Sequence, residues 1–286
     1  MNKTLKLRQM LKGDGIIVLP GIYDCLSAKI AKQAGFEAVF TSGFGISAVK
    51  LGMPDYGLIT ASEMMESLEN IAKSVNIPVV ADMDTGYGNP LNVTRTVAQA
   101  VKAGVAGVIL EDQQWPKKCG HMEGKRVIPA ADHVQKIKAA REAGGSDLLI
   151  IARTDSRAEL GLDEAIKRGH EYKAAGADVI FIEAPQSLEE LGQIVNSFPD
   201  VPLVANMVEG GKTPIMTADK LGDLGFKIVV YPVSGLFAAA SSVMTCFKYL
   251  KENKTTQGYK NDFSFSDFEK LIDLPKYKEI ESKFSS

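Results

Sequence analysis

The stretch PKKCGHMEGK, at Pro116–Lys125, holds the side chains of this chain that are best suited to chemistry. Cys119 lies there among lysines, including Lys118, and beside His121. Positive charge near a thiol lowers its pKa, so we expect Cys119 to act as an acid or a nucleophile with help from Lys118 and His121. Gly120 would let the backbone approach a ligand closely or act as a hinge. The stretch predicts a loop that closes over a substrate, and the alternative is an inert surface cysteine.

Three carboxylates form a second candidate site. Asp82 and Asp84 lie two residues apart in a stretch predicted to be extended, so their side chains would face the same side. Glu111 ends the next predicted strand and would lie beside them. Hard oxygen ligands without a matching histidine cluster indicate Mg²⁺, or Mn²⁺, rather than zinc. The alternative is that these acids only cap the helices that follow.

Arg153 is the positive group expected among these acids. A guanidinium can bind a substrate carboxylate through two parallel hydrogen bonds, and an ion pair with Glu183 or Asp155 is a compatible alternative. Ser42 and Gly43, in the run SGFG, offer backbone N–H groups to an anion. Together these groups predict a small ligand that carries a carboxylate.

Other reactive residue types have ordinary structural interpretations. Cys25 and Cys246 lie in helical patterns and are interpreted as packing residues. His133 and His170 also fall on predicted helices, and we interpret both as helix-surface histidines.

A recurring pattern predicts the scaffold: a helical segment ends in glycine, and a short apolar strand follows. Gly104 in AVKAGVAGVILED is one such glycine, at a position that needs a left-handed cap. Apolar runs without alternation are typical of parallel strands covered on both faces. The predicted strands span 16–20, 39–41, 79–82, 108–110, 148–152, 179–182, 203–205 and 228–230. Amphipathic helices are predicted at 25–33, 61–74, 91–102, 131–143, 162–174, 188–197, 217–224 and 236–251.

Eight strands that alternate with eight helices predict a (β/α)8 TIM-type barrel. An open doubly wound sheet is the alternative, but no glycine-rich dinucleotide fingerprint follows the first strand. The barrel would occupy a single domain over 1–286, with 252–286 as a helical extension. This extension is polar with scattered apolar residues, so it would either cap the barrel or dock on a neighbouring subunit.

The totals exclude several classes of protein. The formal net charge is −2 and no basic stripe is present, which argues against nucleic acid as a partner. No apolar run approaches the ~18 residues of a transmembrane helix, and the charged amino terminus does not resemble a secretory signal. These features predict a protein without membrane partners. Three scattered cysteines do not make a disulfide framework, so we also predict a cytoplasmic location.

These motifs together resemble the isocitrate lyase/phosphoenolpyruvate mutase superfamily, over about residues 17–251. KKCGH at 117–121 is the most specific element and looks like the catalytic loop motif of the lyase branch. The other matching motifs are SGFG (42–45), GMPDYG (52–57), DMDTGYG (82–88), ED (111–112), ARTD (152–155), EAP (183–185) and ANMVEGGKTP (205–214).

The resemblance implies roles for individual residues. Asp82 and Asp84 would hold Mg²⁺, with Glu111 binding it directly or through water. Cys119 would deliver a proton to carbon, while Glu183 would complete the pocket. The implied substrate-binding residues are Ser42, Gly43, Phe44, Asp55, Gly120, Arg153, Asn206 and Ser234. The resemblance also implies a small di- or tricarboxylate as the substrate. Members of the superfamily are usually tetramers that swap C-terminal helices, so a homotetramer is implied as well.

Cys119 favours a carbon–carbon lyase within this superfamily. Phe237 stands where methylisocitrate lyases, as we align them, place an arginine, so a substituted malate such as 2,3-dimethylmalate is the favoured substrate. Retro-aldol cleavage would give pyruvate and a carboxylic acid, with Tyr23, Glu183 or a metal-bound water as the base. The alternatives are a methylisocitrate lyase, a phosphonomutase similar to carboxyphosphonoenolpyruvate mutase, an oxaloacetate hydrolase and a metal-dependent binding protein.

Overall fold

Parallel strands form the centre of the fold. The strands are β1 (Ile17–Ile22), β2 (Val39–Thr41), β3 (Val79–Asp82), β4 (Gly107–Glu111), β5 (Leu149–Thr154), β6 (Val179–Ile182), β7 (Val204–Asn206) and β8 (Ile228–Tyr231). In this computed structural model, which describes residues 2–261 and 263–285, they form one sheet in the order β6-β5-β4-β3-β2-β1-β8-β7. A parallel bridge between Ile180 and Leu203 joins the two ends of the sheet. The predicted (β/α)8 barrel is confirmed.

Helices connect the strands and cover the barrel. Their bounds are α1 (Lys3–Lys12), α2 (Cys25–Gln33), α3 (Gly43–Leu51), α4 (Ala61–Ser74), α5 (Pro90–Ala103), α6 (Ala130–Gly144), α7 (Arg157–Leu160), α8 (Leu162–Ala174), α9 (Leu188–Ser197), α10 (Ala218–Leu224), α11 (Ser234–Asn253), α12 (Phe265–Leu271) and α13 (Leu274–Ser282). Gly104 ends α5 in the left-handed conformation, with φ of 86°, and its N–H donates to carbonyls of the last turn. The glycine at the end of this helix therefore forms the left-handed cap that the sequence predicted.

Two core clusters hold the barrel together. One lies inside it and consists of inward strand residues with Leu7 of α1, so α1 covers the end of the barrel at which the strands begin. The other lies between the outward strand residues and the surrounding helices. Parallel strands buried on both faces explain why their sequences are apolar without alternation.

The histidine interpretations had different outcomes. His133, on α6, is fully buried, and its ring packs edge-on against the ring of Tyr172 with centroids 4.7 Å apart. Burial lowers the pKa of His133 to about 3, so it is neutral. Its interpretation as a surface histidine is wrong, because the apolar side of α6 turns it towards the barrel. His170 is exposed as expected.

The C-terminal helices are the least covered part of the fold. Every residue of α11 is at least partly exposed, including Met244 at 57 % and Phe247 at 64 %. Phe265 on α12 is 83 % exposed. None of the helices in residues 2–261 and 263–285 is both long and apolar enough to cross a membrane.

Candidate active site

The inward positions of the strands define the site. Val80, Ile109 and Ile151 belong to the cluster inside the barrel, whereas their chain neighbours pack against the outer helices. Side chains alternate along a strand, so the residue two positions further on also faces inward. On six strands, this next inward position is occupied by Ser42, Asp82, Glu111, Arg153, Glu183 and Asn206.

A cavity of about 90 Å³ lies at this mouth of the barrel. Predicted site residues that line it are Ser42, Phe44, Asp55, Asp82, Cys119, Gly120, His121, Arg153 and Asn206. Glu111 and Glu183 adjoin it through Arg153, whose nitrogens lie 3.6 Å and 3.3 Å from their carboxylates. The structure thus brings most of the predicted set together.

Three predicted site residues do not line the cavity in the described part of the chain: Lys118, Tyr23 and Ser234. The ammonium of Lys118 lies 5.4 Å from the centroid of the Tyr56 ring. Ser234 instead donates to the carboxylate of Glu209, and Tyr23 packs against Gly45. Assistance from these three side chains stays a prediction.

The loop Pro116–Lys125, here called the lid loop, closes over the cavity. Near its start, the buried ammonium of Lys117 lies 2.9 Å from both carboxylate oxygens of Asp55 and 2.8 Å from Oδ1 of Asp84. Although burial alone favours the neutral amine, these acids raise the pKa of Lys117 well above its ordinary value. A β-carbon on Gly120 would lie 2.7 Å from Cδ of Glu183, so only glycine fits there.

Asp55, Asp82, Asp84 and Glu111, here called the acid cluster, form one side of the site. Burial, with the charge of Asp84 next, raises the pKa of Asp82 to about 6. Burial also raises the pKa of Glu111 well above its ordinary value, and within the described chain its Oε1 atom is buried without a hydrogen-bond partner. These shifts indicate carboxylates that need more positive charge than the fold supplies.

The donor chemistry of the acid cluster fits Mg²⁺ or Mn²⁺, since its oxygens are hard and, in the described chain, Oε1 of Glu111 and Oδ1 of Asp84 are buried without a hydrogen-bond partner. Across residues 2–261 and 263–285, no three His, Cys, Asp or Glu side chains stand as a preformed ligand group. Instead, the Lys117 ammonium lies between Asp55 and Asp84 as the local cation. Metal binding at Asp82, Asp84 and Glu111 therefore remains a prediction.

Arg153 connects the acids at the centre of the site. Its Nε and Nη2 atoms donate to the two oxygens of Asp155 at 2.9 and 3.0 Å. Although burial disfavours its charge, Asp155, Glu183 and Glu111 raise the pKa of Arg153 well above its ordinary value. The geometry is compatible with both predicted roles of Arg153, ion pairing with a protein acid and binding of a substrate carboxylate, because the guanidinium is paired and also reaches the cavity.

Glu183 holds the lid loop through His121. Nε2 of His121 lies 3.1 Å from Oε1 of Glu183, and its Nδ1 accepts a 3.0 Å hydrogen bond from the Lys212 N–H. Asn206 donates to Glu183 at 3.2 Å. Burial would raise the pKa of Glu183, but Arg153 and His121 lower it to about 2. A carboxylate of this pKa is a weak base, so orientation suits it better than proton abstraction.

Cys119 differs from expectation. Its pKa is raised, first by burial and then by the charges of Asp55 and Glu183, which outweigh the hydrogen bond from the His121 backbone and the charge of Arg153. The predicted lowering is wrong because the neighbouring lysines act elsewhere: Lys117 pairs with acids, and Lys118 lies over Tyr56. A thiol that keeps its proton is suited to act as an acid.

Sequence reasoning missed Val208 and Val233, which line the cavity together with Phe237 of α11. The ring of Phe237, which the sequence assigns to substrate selection, stands edge-on to Phe44 at 6.5 Å. Sequence reasoning also missed the buried pair Lys125 and Asp155. The only signal for that pair was a lysine that follows a glycine in a lid-like loop, and such a signal is weak.

Comparisons with known proteins agree with the fold and the site. The family described as phosphoenolpyruvate phosphomutase matches residues 7–250. The 2,3-dimethylmalate lyase of Eubacterium barkeri is 43% identical over 288 residues, which cover 100% of this chain and 99% of that protein. The chloroplastic carboxyvinyl-carboxyphosphonate phosphorylmutase of Arabidopsis thaliana is 45% identical over 287 residues, 98% of this chain and 84% of that protein.

Solved structures extend the comparison. An oxaloacetate acetylhydrolase with 3,3-difluorooxalacetate superimposes with a TM-score of 0.95 at 33% identity, covering 99% of this chain and 97% of that one. A phosphonopyruvate hydrolase with oxalate and Mg²⁺ gives 0.89 at 30% identity, covering 99% of both chains. The chain belongs to the phosphoenolpyruvate mutase/isocitrate lyase superfamily. The prediction of an enzyme of the carbon–carbon lyase class is confirmed by the lyases among its relatives.

Proposed function

We propose that this protein cleaves a substituted malate, 2,3-dimethylmalate being favoured, into pyruvate and propionate in the presence of Mg²⁺. The observation that carries the proposal is the position of Cys119. It lines the same cavity as Asp82 and Arg153, and its raised pKa keeps the thiol protonated. A lyase needs such a donor to protonate the carbanion left when the carbon–carbon bond breaks.

Asp82, Asp84 and Glu111 are the residues proposed to hold the metal. Mg²⁺, or Mn²⁺, would supply Lewis acidity that lowers the pKa of the substrate hydroxyl. The raised pKa values of Asp82 and Glu111 support this assignment, because a dication would relieve the cost of burying both charges.

Arg153 is proposed to bind a substrate carboxylate, which is the complementary charge for its guanidinium. The start of α3 also adjoins the cavity: Ser42 caps the helix, and the Gly43 N–H donates to Oδ2 of Asp82 at 3.0 Å. Phe44 and Asp55 also line the cavity there. We assign these residues to substrate binding.

Cys119 transfers the proton in the proposed reaction. A base takes the proton of the 2-hydroxyl, the bond between C2 and C3 breaks, C2 becomes the keto carbon of pyruvate, and the electron pair of the broken bond stays on C3. The thiol proton passes to C3, giving propionate and a thiolate that regains a proton from solvent after product release. The lid loop excludes water while the carbanion exists. The low pKa of Glu183 argues against it as the base that takes the hydroxyl proton.

The apolar side of the cavity supports an alkyl substituent over a third carboxylate. Phe44, Val208, Val233 and Phe237 form this side, and none of these side chains bears a charge. A tricarboxylate such as methylisocitrate would leave a carboxylate against apolar groups, which is costly. Methylisocitrate, phosphonate and oxaloacetate substrates are therefore the competing outcomes of the test.

The test is a substrate panel with Mg²⁺: 2,3-dimethylmalate, 2-methylisocitrate, phosphonopyruvate and oxaloacetate. Pyruvate from dimethylmalate that is lost in Cys119→Ser, but retained in the control Cys246→Ser, supports the proposal. Turnover of phosphonopyruvate or oxaloacetate that survives Cys119→Ser would replace it with a mutase or a hydrolase.

We also propose a homotetramer that contacts through the C-terminal helices. The exposed apolar residues of α11 and α12, such as Phe247 and Phe265, support this proposal. Light scattering would test it, and a monomer at micromolar concentration would contradict it.

A further inference from the structure

The two lysines near the ends of the lid loop have different partners. Lys117 pairs with Asp55 and Asp84 of the acid cluster, so its contacts involve the groups expected to bind metal. Lys125 pairs instead with Asp155, which is outside that cluster. The two ends of the loop are therefore held by separate ion pairs.

Lys125 is buried, which is rare for a lysine side chain. Its side chain is 2% exposed, and its Nζ atom donates to Oδ1 of Asp155 at 2.7 Å. The same ammonium donates to the carbonyl of Gly120, five residues earlier in the lid loop. One side chain thus joins the middle of the loop to β5, through the residue that directly follows that strand.

Asp155 is itself held rigidly. Arg153 contacts both of its oxygens, and its backbone N–H donates to Asp112 at 2.9 Å. Asp112 in turn accepts from Arg168 and Tyr172 at 2.9 and 2.7 Å. Lys125 is therefore bonded to a carboxylate that is itself fixed to the barrel.

Gly120 has no side chain that could fix its position, and Arg153 and Glu183 occupy the space that a β-carbon would need. The carbonyl of Gly120 is thus the group through which the lid loop can be fixed at this residue. We propose that Lys125 is a positioning residue that fixes the backbone at Gly120 and so holds the adjacent Cys119 in the cavity. The proposal rests on the proposed function only for the catalytic role of Cys119.

The test measures the chemical accessibility of Cys119 rather than activity. The full-length protein is treated with iodoacetamide, and alkylation of each cysteine is followed by peptide mass spectrometry. In Lys125→Met we expect alkylation of Cys119 to be at least about tenfold faster, the factor expected from losing a hydrogen bond to a charged group. Cys25 and Cys246 serve as internal standards, because general destabilisation would accelerate all three. Lys173→Met, which breaks the exposed pair with Asp200, is the matched control and should leave Cys119 unchanged.

A buried Asp155 without Lys125 could prevent folding, so a second variant removes both charges. Lys125→Met with Asp155→Asn leaves Arg153 paired with Glu183 and should also expose Cys119 selectively. Wild-type rates at Cys119 in a folded variant, or equal acceleration at all three cysteines, would overturn the proposal. Failure of the substrate panel would leave this result unaffected. If the lyase is active, Lys125→Met should lower kcat more than it raises KM, because it displaces the proton donor more than the binding groups.

Discussion

Replacement of Asp82 by asparagine should stabilise the metal-free protein at pH 8. The folded-state pKa of Asp82 is raised from 3.8 to about 6. A shift of about two units corresponds to ~3 kcal/mol of destabilisation once the group is ionised in both states. Asparagine removes that charge but keeps only one oxygen to accept the N–H groups of Gly43 and Asp84, a loss of ~1 kcal/mol. The net expectation is a gain of about 2 kcal/mol.

The effect should depend on pH in one direction. Because the pKa of Asp82 is higher in the folded state, the folded protein holds its proton more tightly, and the wild type gains stability as pH falls through about 6. The full gain is reached below the unfolded value near 3.8. The advantage of Asp82→Asn should therefore shrink below about 1 kcal/mol by pH 5.

Thermal unfolding in EDTA at pH 8 and pH 5 measures this prediction. At ~2–4 °C per kcal/mol for a chain of this size, we expect Tm to rise by about 4–8 °C at pH 8. Added Mg²⁺ should raise the Tm of the wild type and leave that of the variant almost unchanged. Asp14→Asn, at an exposed position, is the control. A lower Tm for Asp82→Asn at pH 8, or a gap that does not narrow at pH 5, would refute the reasoning.

Two further predictions concern the lid loop and the apolar side of the cavity. Gly120→Ala places a β-carbon against Arg153 and 2.7 Å from Cδ of Glu183, so the lid cannot close and kcat/KM should fall about 10²-fold. Wild-type kinetics would show that closure is not needed. Phe237→Arg adds a cation to the apolar side and should shift the ratio of kcat/KM for 2-methylisocitrate and 2,3-dimethylmalate towards the tricarboxylate by at least about tenfold. An unchanged ratio would remove Phe237 from substrate selection.

The barrel could be predicted because each strand is short and apolar and follows a helix whose end is indicated by nearby residues. β2, β3 and β6 have the predicted bounds, and the others differ by one or two residues at one or both ends. Helix α1 was missed because Leu7 is its only buried residue, which is too weak a period to detect. Helix α3 was missed because its first turn, GFG, contains two glycines and was interpreted only as an anion-binding turn.

The site could be predicted in its membership but not in its electrostatics. Strand ends and motifs identified Asp82, Arg153 and Glu183, since alternation along a strand fixes which side chains face inward. The pKa of Cys119 was predicted in the wrong direction, because neighbours in sequence show which charges are available and not where they point. The partner of Lys125 lies 30 residues away, and only the folded chain brings the two together.

The alternation of inward residues has a consequence for how this protein can diversify. Val80, Ile109 and Ile151 fill the barrel, and the reactive side chains occupy the next layer of the same strands. Folding free energy comes mainly from the lower layers, whereas chemistry comes from the top layer and its loops. Substitutions in the top layer can therefore change the substrate preference while the interior remains unchanged, provided that they leave buried ion pairs such as Lys125 with Asp155 intact.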